Sequence, residues 1–357
     1  MDALQAKRTA GSMLLVGFHG ATLDEATARH LKELAPGGVI LFTRNFENPA
    51  QLHSLVESVR EASGTQDLMV AVDQEGGRVN RFKEPFTIFP SAREIGSTGN
   101  DYLPYVMGKA MGLELLAAGV NTNLAPVLDV DTNGKNPVIG DRSYGSDPYL
   151  VSRMGIQLIA GMQEAGLVCC GKHFPGHGDT FEDSHLTLPA VSHSLDRLME
   201  IELVPFANAA DAGVDMIMTA HIIMKAIDPE FPATLSHKIL TGLLKTRLGF
   251  EGVIVTDDME MKAIADNFGG PDAAVKSVIA GADLVCVCHT ASLQTEIRDR
   301  IASAIVAKEI SEDRLSDAVT RLARLKNRIT WKLPGMDLIG CKAHKVIVSE
   351  IKEQIQG

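Results

Sequence analysis

The strongest constraint on the fold is a set of eight short apolar, β-branched runs, separated by longer stretches with helical spacing. The runs are Met13–Phe18, Gly38–Phe42, Leu68–Asp73, Thr122–Ala125, Val168–Lys172, Met216–Thr219, Val253–Thr256 and Leu284–Cys288. Strands that read as unbroken apolar runs are buried on both faces, as in parallel sheets covered by helices. Helix candidates fill the gaps: Leu23–Leu34, Pro49–Ala62, Leu103–Ala118, Pro148–Ala165, Leu195–Ala212, His237–Leu248 and Ala273–Ala280, with Ser292–Ala307 and Glu312–Asn327 following. Uninterrupted strand–helix units predict an α/β fold of the (β/α)8 TIM-barrel type over an open doubly wound sheet. The open sheet would need a phosphate-binding glycine loop after its first strand, and Gly17-Phe18-His19-Gly20 does not match one. Ala-Gly precedes a strand four times, at Gly119, Gly166, Gly213 and Gly281, where a glycine can take the left-handed position that ends a helix.

No low-complexity linker divides the 357 residues, so a single domain over 1–357 is expected, with the barrel at about 10–330 and a tail from about 331 to which no role is assigned. A net charge of −11 lacks the clustered Lys and Arg that phosphate contacts need, so nucleic-acid binding is not expected. The apolar stretch Met13–Val16 is too short for a signal-peptide core or a membrane span, which predicts a cytoplasmic protein without membrane association. The five cysteines are odd in number and lack metal or redox spacing; those at 169, 170, 286 and 288 read as buried reduced thiols.

In a barrel of this kind the residues just past the strands' C-terminal ends face the active-site mouth. Here they are Arg44, Asp73, Asp129, Lys172 and His173, His221, Asp257 and Asp258, and His289. Singly, each could be a cap or a surface residue; together they point to a site. The densest chemistry lies in the loop from Lys172 to His185, with three histidines and three carboxylates among glycines and a proline. Two readings compete for it: His and Asp as metal ligands, or Asp183 orienting His185 for proton transfer. The metal reading lacks a helical His-x-x-x-His or a second ligand cluster. Asp257, on a rigid strand, suits a nucleophile; because consecutive strand residues point in opposite directions, Asp258 is expected to face away and cap the next helix. His193 is expected on a surface turn, and Met216, Met218 and Met224 in the core.

At these residues the sequence resembles glycoside hydrolase family 3, in particular the single-domain bacterial β-N-acetylglucosaminidases of cell-wall recycling. The matching stretches are Gly38–Phe42, Asp73–Arg81, Asn123–Val130, Asp141–Pro148, the Lys172–His185 loop and Thr256–Met259. The resemblance implies a nucleophile at Asp257, an acid/base at His185 paired with Asp183, and substrate binding by Asp73, Arg81, Arg142, Lys172 and His173. Thr256 stands where the family usually has Ser. The implied activity is retaining hydrolysis of terminal N-acetylglucosamine from peptidoglycan fragments, with no cofactor or metal, by a monomer or weak oligomer.

A histidine acid/base is unusual, since most glycosidases pair two carboxylates. Imidazole does not repel an anionic acceptor as a carboxylate does, so a phosphorylase is the close alternative. Substrate assistance by the acetamido group, a barrel metallohydrolase and a non-catalytic sugar-binding barrel are further alternatives.

Overall fold

The computed structural model of the chain describes residues 1–65, 67–180 and 188–356. Eight parallel strands form the barrel: β1 (Leu14–Val16), β2 (Gly38–Leu41), β3 (Met69–Val72), β4 (Thr122–Asn123), β5 (Val168–Phe174), β6 (Met216–Thr219), β7 (Val253–Val255) and β8 (Val285–Val287). Their order is β7-β6-β5-β4-β3-β2-β1-β8, every pairing parallel. A parallel bridge between Val255 and Leu284 joins β7 to the start of β8 and closes the ring. Closure removes the unpaired edges of an open sheet. Strand residues such as Leu14, Val39, Val70, Cys169, Ile217 and Ile254 are completely buried in one continuous core.

Strand lengths differ from the apolar runs for local reasons. β4 keeps two residues because Pro126, three places beyond its end, has no N–H for the ladder. β5 instead runs on to Phe174. The segment after β4 supplies extra partners there: Lys172 N–H donates to the Pro126 carbonyl at 3.1 Å, and Leu128 N–H to the Lys172 carbonyl at 2.6 Å. Lys172 and His173, expected at the start of an irregular loop, therefore sit on a bonded strand end.

The outer helices follow the periodicity, with two corrections. The predicted helix over Leu195–Ala212 is two helices, Leu195–Glu200 and Val204–Asp211; Pro205, tolerated only in a first turn, starts the second. The stretch Lys238–Arg247 winds as a wider π-helix, with Leu248 N–H reaching back five residues to Leu243. The glycines at 119, 166, 213 and 281 all have positive φ. Among the described residues no helix is long and apolar enough to cross a membrane.

The tail, left without a role by the sequence, ends in a helix at Lys342–Gln356 that packs on the helices Ala92–Ser97 and Tyr102–Ala117. It is tied to the barrel through the buried Glu114, whose carboxylate accepts from His344 Nδ1 at 2.7 Å, Gly340 N–H at 3.0 Å and Thr87 N–H at 2.8 Å. Thr87 lies on the segment that follows Arg81, so one carboxylate couples the tail to a wall of the barrel mouth. Removing it leaves several buried donors without a partner, each costing about 1–3 kcal/mol. Glu114→Ala is therefore expected to lower unfolding free energy by roughly 3 kcal/mol or more in urea titration, and a loss under about 1 kcal/mol would rule out the coupling.

Candidate active site

All six described candidates, Asp73, Arg81, Arg142, Lys172, His173 and Asp257, line one cleft of about 230 Å³ at the C-terminal mouth of the barrel. Phe42, Glu75, His177, Met218, Asp258, Cys286, Cys288 and His289 are among its other lining residues. Asp183 and His185 lie outside the described residues.

The floor is an ionic network. β3 ends at Val72, and Asp73 and Glu75 follow, two residues apart. Lys172 Nζ lies 2.7 Å from Asp73 Oδ1 and 2.7 Å from Glu75 Oε1, with its side chain only 2% exposed. Arg142 holds Glu75 in a two-pronged pair, Nε to Oε2 and Nη2 to Oε1, both 2.8 Å. Arg81 Nη2 donates to Asp73 Oδ2 at 3.2 Å. Burial alone would raise both carboxylates, but the opposing charges prevail: Arg142 and Lys172 hold Glu75 well below the usual carboxylate range, and Lys172 and Arg81 lower Asp73. Burial likewise disfavours the Lys172 ammonium, yet Asp73 and Glu75 raise its pKa and keep it charged.

This network changes what each side chain can offer a sugar. The resemblance implies substrate binding by Arg142; Glu75 engages one edge of its guanidinium, Nε and Nη2, while the residue lines the cleft. Arg81 Nε is buried and unpartnered among the described residues. Lys172 spends two of three N–H bonds on Asp73 and Glu75.

Asp129 organises the opposite wall. Fully buried, it accepts from His173 Nδ1 at 2.7 Å and from His177 N–H at 2.6 Å. It thereby sets the His173 ring and the first turn of the loop after β5. Asn136 Nδ2 donates to the His177 carbonyl at 2.7 Å and Asn133 Nδ2 to the Thr180 carbonyl at 3.1 Å, while His193 pairs with Asp179. His193, expected on a surface turn, lies partly exposed on the irregular connection after Val191 and braces the loop at Asp179.

Asp258 does not cap the next helix. Its Oδ1 accepts from Glu260 N–H at 3.1 Å and from Cys288 N–H at 3.2 Å, and its Oδ2 lies 3.4 Å from His289 Nε2. The chain leaves strand geometry after Val255, so alternation no longer sends consecutive side chains to opposite faces, and Asp257 and Asp258 both reach the cleft. His221 is fully buried behind them, its ring 2.8 Å from Thr234 Oγ1 and 3.0 Å from the Asp258 carbonyl.

Sequence reasoning gave no role to Glu75 or His177. The signal for Glu75 was present, since a residue two places beyond Asp73 along extended chain projects to the same side. His177 is 3% exposed and its ring lies 2.8 Å from Thr180 Oγ1. Among the described residues no group of three or more His, Cys, Asp and Glu is placed to hold a metal ion.

Residues 7–325 match the model of the glycosyl hydrolase family 3 N-terminal domain, and the chain belongs to that family. A β-hexosaminidase of Thioalkalivibrio sulfidiphilus is 39% identical over 327 residues, covering 89% of this chain and 90% of the relative. Beta-hexosaminidase A of Pseudoalteromonas piscicida is 35% identical over 88% of this chain, which spans 58% of that longer relative. The solved family 3 β-N-acetylglucosaminidase of a Paenibacillus strain superposes with a TM-score of 0.93 at 39% identity, over 98% of this chain and 68% of the other.

Burial, then the nearby His173, lowers the His177 pKa to about 4, so the ring is neutral at pH 7. Below an ordinary histidine pKa of about 6.5 the unfolded chain takes up a proton that the folded site refuses, so stability is lost as pH falls from there towards 4. The wild type should lose up to about 3 kcal/mol across that window relative to His177→Gln. Parallel unfolding curves between pH 4 and 7 for the two proteins would contradict it.

Proposed function

We propose that the chain is a retaining β-N-acetylglucosaminidase that releases terminal N-acetylglucosamine through a covalent intermediate on Asp257. The observation that carries this reading is the convergence in one cleft of Asp257, two residues beyond the end of β7, with the Asp73, Lys172, Arg81 and His173 sugar-binding set. The names of the relatives support the sugar, and the family supports the reaction type.

In this mechanism the Asp257 carboxylate attacks the anomeric carbon while the aglycone oxygen takes a proton from His185. Water then gives a proton to His185 as its oxygen attacks the same carbon and Asp257 departs. Asp183 orients the imidazole and favours its charged form. Asp73 accepts hydrogen bonds from sugar hydroxyls, while Lys172, Arg81 and the His173 ring donate to sugar oxygens. Arg142 and Glu75 hold Lys172 and the floor in place. A fixed, ion-paired floor costs little reorganisation when positive charge develops on the sugar ring. Fragments of peptidoglycan, turned over in the cytoplasm by a monomer or weak oligomer, are the proposed setting, on the strength of the resemblance to cell-wall recycling enzymes.

Incubation with a 2-fluoro glycosyl donor followed by peptide mapping should place the label on Asp257, and Asp257→Asn should cut kcat on the order of 10³-fold or more. Label on another residue would remove Asp257 as nucleophile. Sugar 1-phosphate formed in phosphate buffer, in place of free sugar, would select the phosphorylase.

His185→Ala should slow glycosides with poor leaving groups by about 10²- to 10⁴-fold and activated aryl glycosides far less. Equal loss on both substrate types would show that His185 is not the acid.

A further inference from the structure

The cleft wall contains two sulfur atoms that the proposed sugar chemistry does not use. Cys286 and Cys288 stand two residues apart at the end of β8, so their side chains project to the same side, into the barrel mouth. Their Sγ atoms are 3.4 Å apart, and both residues line the cleft with Asp257 and Asp258.

The backbone carrying them is pinned. Cys286 N–H donates to Thr256 Oγ1 at 2.9 Å, Cys288 N–H to Asp258 Oδ1 at 3.2 Å, and Arg44 Nη2 to the Cys288 carbonyl at 2.7 Å. A direct disulfide would draw the sulfurs to about 2 Å, pulling against these bonds and the ladder to β1. One atom bridging the two sulfurs needs no such approach.

Burial and the Asp258 and Asp257 carboxylates also suppress single-thiol chemistry. Contact with Cys288 lowers the Cys286 thiol, but burial and the two carboxylates outweigh it; Cys288 is raised by its contact with Cys286 and by burial. Reagents that need a free thiolate are disfavoured at such thiols, whereas a soft centre that takes both sulfurs together benefits from their preset spacing. Cys169 and Cys170 offer no comparable pair: adjacent on β5, they project in opposite directions, and Cys169 Sγ contacts Asp215 at 3.4 Å.

We propose that Cys286 and Cys288 form a two-thiol binding site for soft thiophilic electrophiles, specifically trivalent arsenicals, and that its occupation closes the sugar cleft. With an aryl arsenoxide, two S–As bonds form and the As=O bond breaks, and the oxygen leaves as water with the two thiol protons. No oxidant or reductant is required. The arsenic and its aryl group then fill the wall beside Asp257 and Asp258.

The test treats the full-length protein with phenylarsine oxide, with peptide mass mapping and turnover of an aryl N-acetylglucosaminide as readouts. One phenylarsenic group should bridge Cys286 and Cys288, and the rate should fall at least about tenfold near one equivalent. A dithiol should restore it where a monothiol at equal thiol concentration does not, and free N-acetylglucosamine should slow the reaction. Cys286→Ser and Cys288→Ser, each compared with its own untreated rate, should be insensitive; Cys169→Ser and Cys341→Ser should stay sensitive. An adduct mapped elsewhere, no adduct at all, or a bridged adduct with undiminished rate would overturn the proposal. Mapping on the wild type decides the site even if a variant does not fold. Because mapping needs no turnover, it also remains decisive if the glycosidase reading fails.

Discussion

Lys172 sits almost wholly out of water between Asp73 and Glu75, and the barrel mouth is arranged to keep that charge compensated. An isolated buried ammonium loses several kcal/mol of hydration, which returns only if its partners are close and themselves satisfied. Glu75 meets that condition through Arg142, and Asp73 through Arg81. The segments involved come from distant parts of the chain: the end of β3, the turn at Gly140–Arg142 and the end of β5. Removing one partner would strand a charge and loosen three loops together. Such a network contributes little net stability, but it makes the floor rigid, and a sugar site benefits from rigidity more than from stability.

A second organising group works by the same logic without a cation. The Asp129 carboxylate takes the ring N–H of His173 and the backbone N–H of His177, which settles the orientation of one cleft histidine and the path of the other. Burial and His173 keep His177 neutral near pH 7. The base of the proposed catalytic loop, as far as Thr180, is thus fixed from below by Asp129, Asn133 and Asn136 and from the side by His193. The chemistry expected of His185 and Asp183 would then depend on a loop whose foot is already set.

The tail shows how far the supports extend. Its helix lies beyond residue 325, where the family match ends, yet its His344 shares Glu114 with Thr87. Packing and one buried carboxylate link it to the segment that follows Arg81. Sulfur chemistry at the end of β8 is a separate matter, set by two side chains that face the cleft because they lie two places apart on one strand.

By itself, the sequence determined the barrel, because the period of apolar residues and the Ala-Gly helix ends are local properties that each segment carries. It also placed several of the side chains that meet at the mouth, Asp73, Lys172, His173, Asp257 and His289 among them, since strand ends of a closed parallel barrel share one rim. Only the tertiary structure decided how those side chains are spent. The engagement of Arg142 by Glu75, the arrival of both Asp257 and Asp258 in the cleft, and the anchoring of the tail on Glu114 all depend on residues far apart in sequence. Hydrogen bonds and ion pairs are settled by distances of a few tenths of an ångström, and no periodicity in a linear chain encodes such distances.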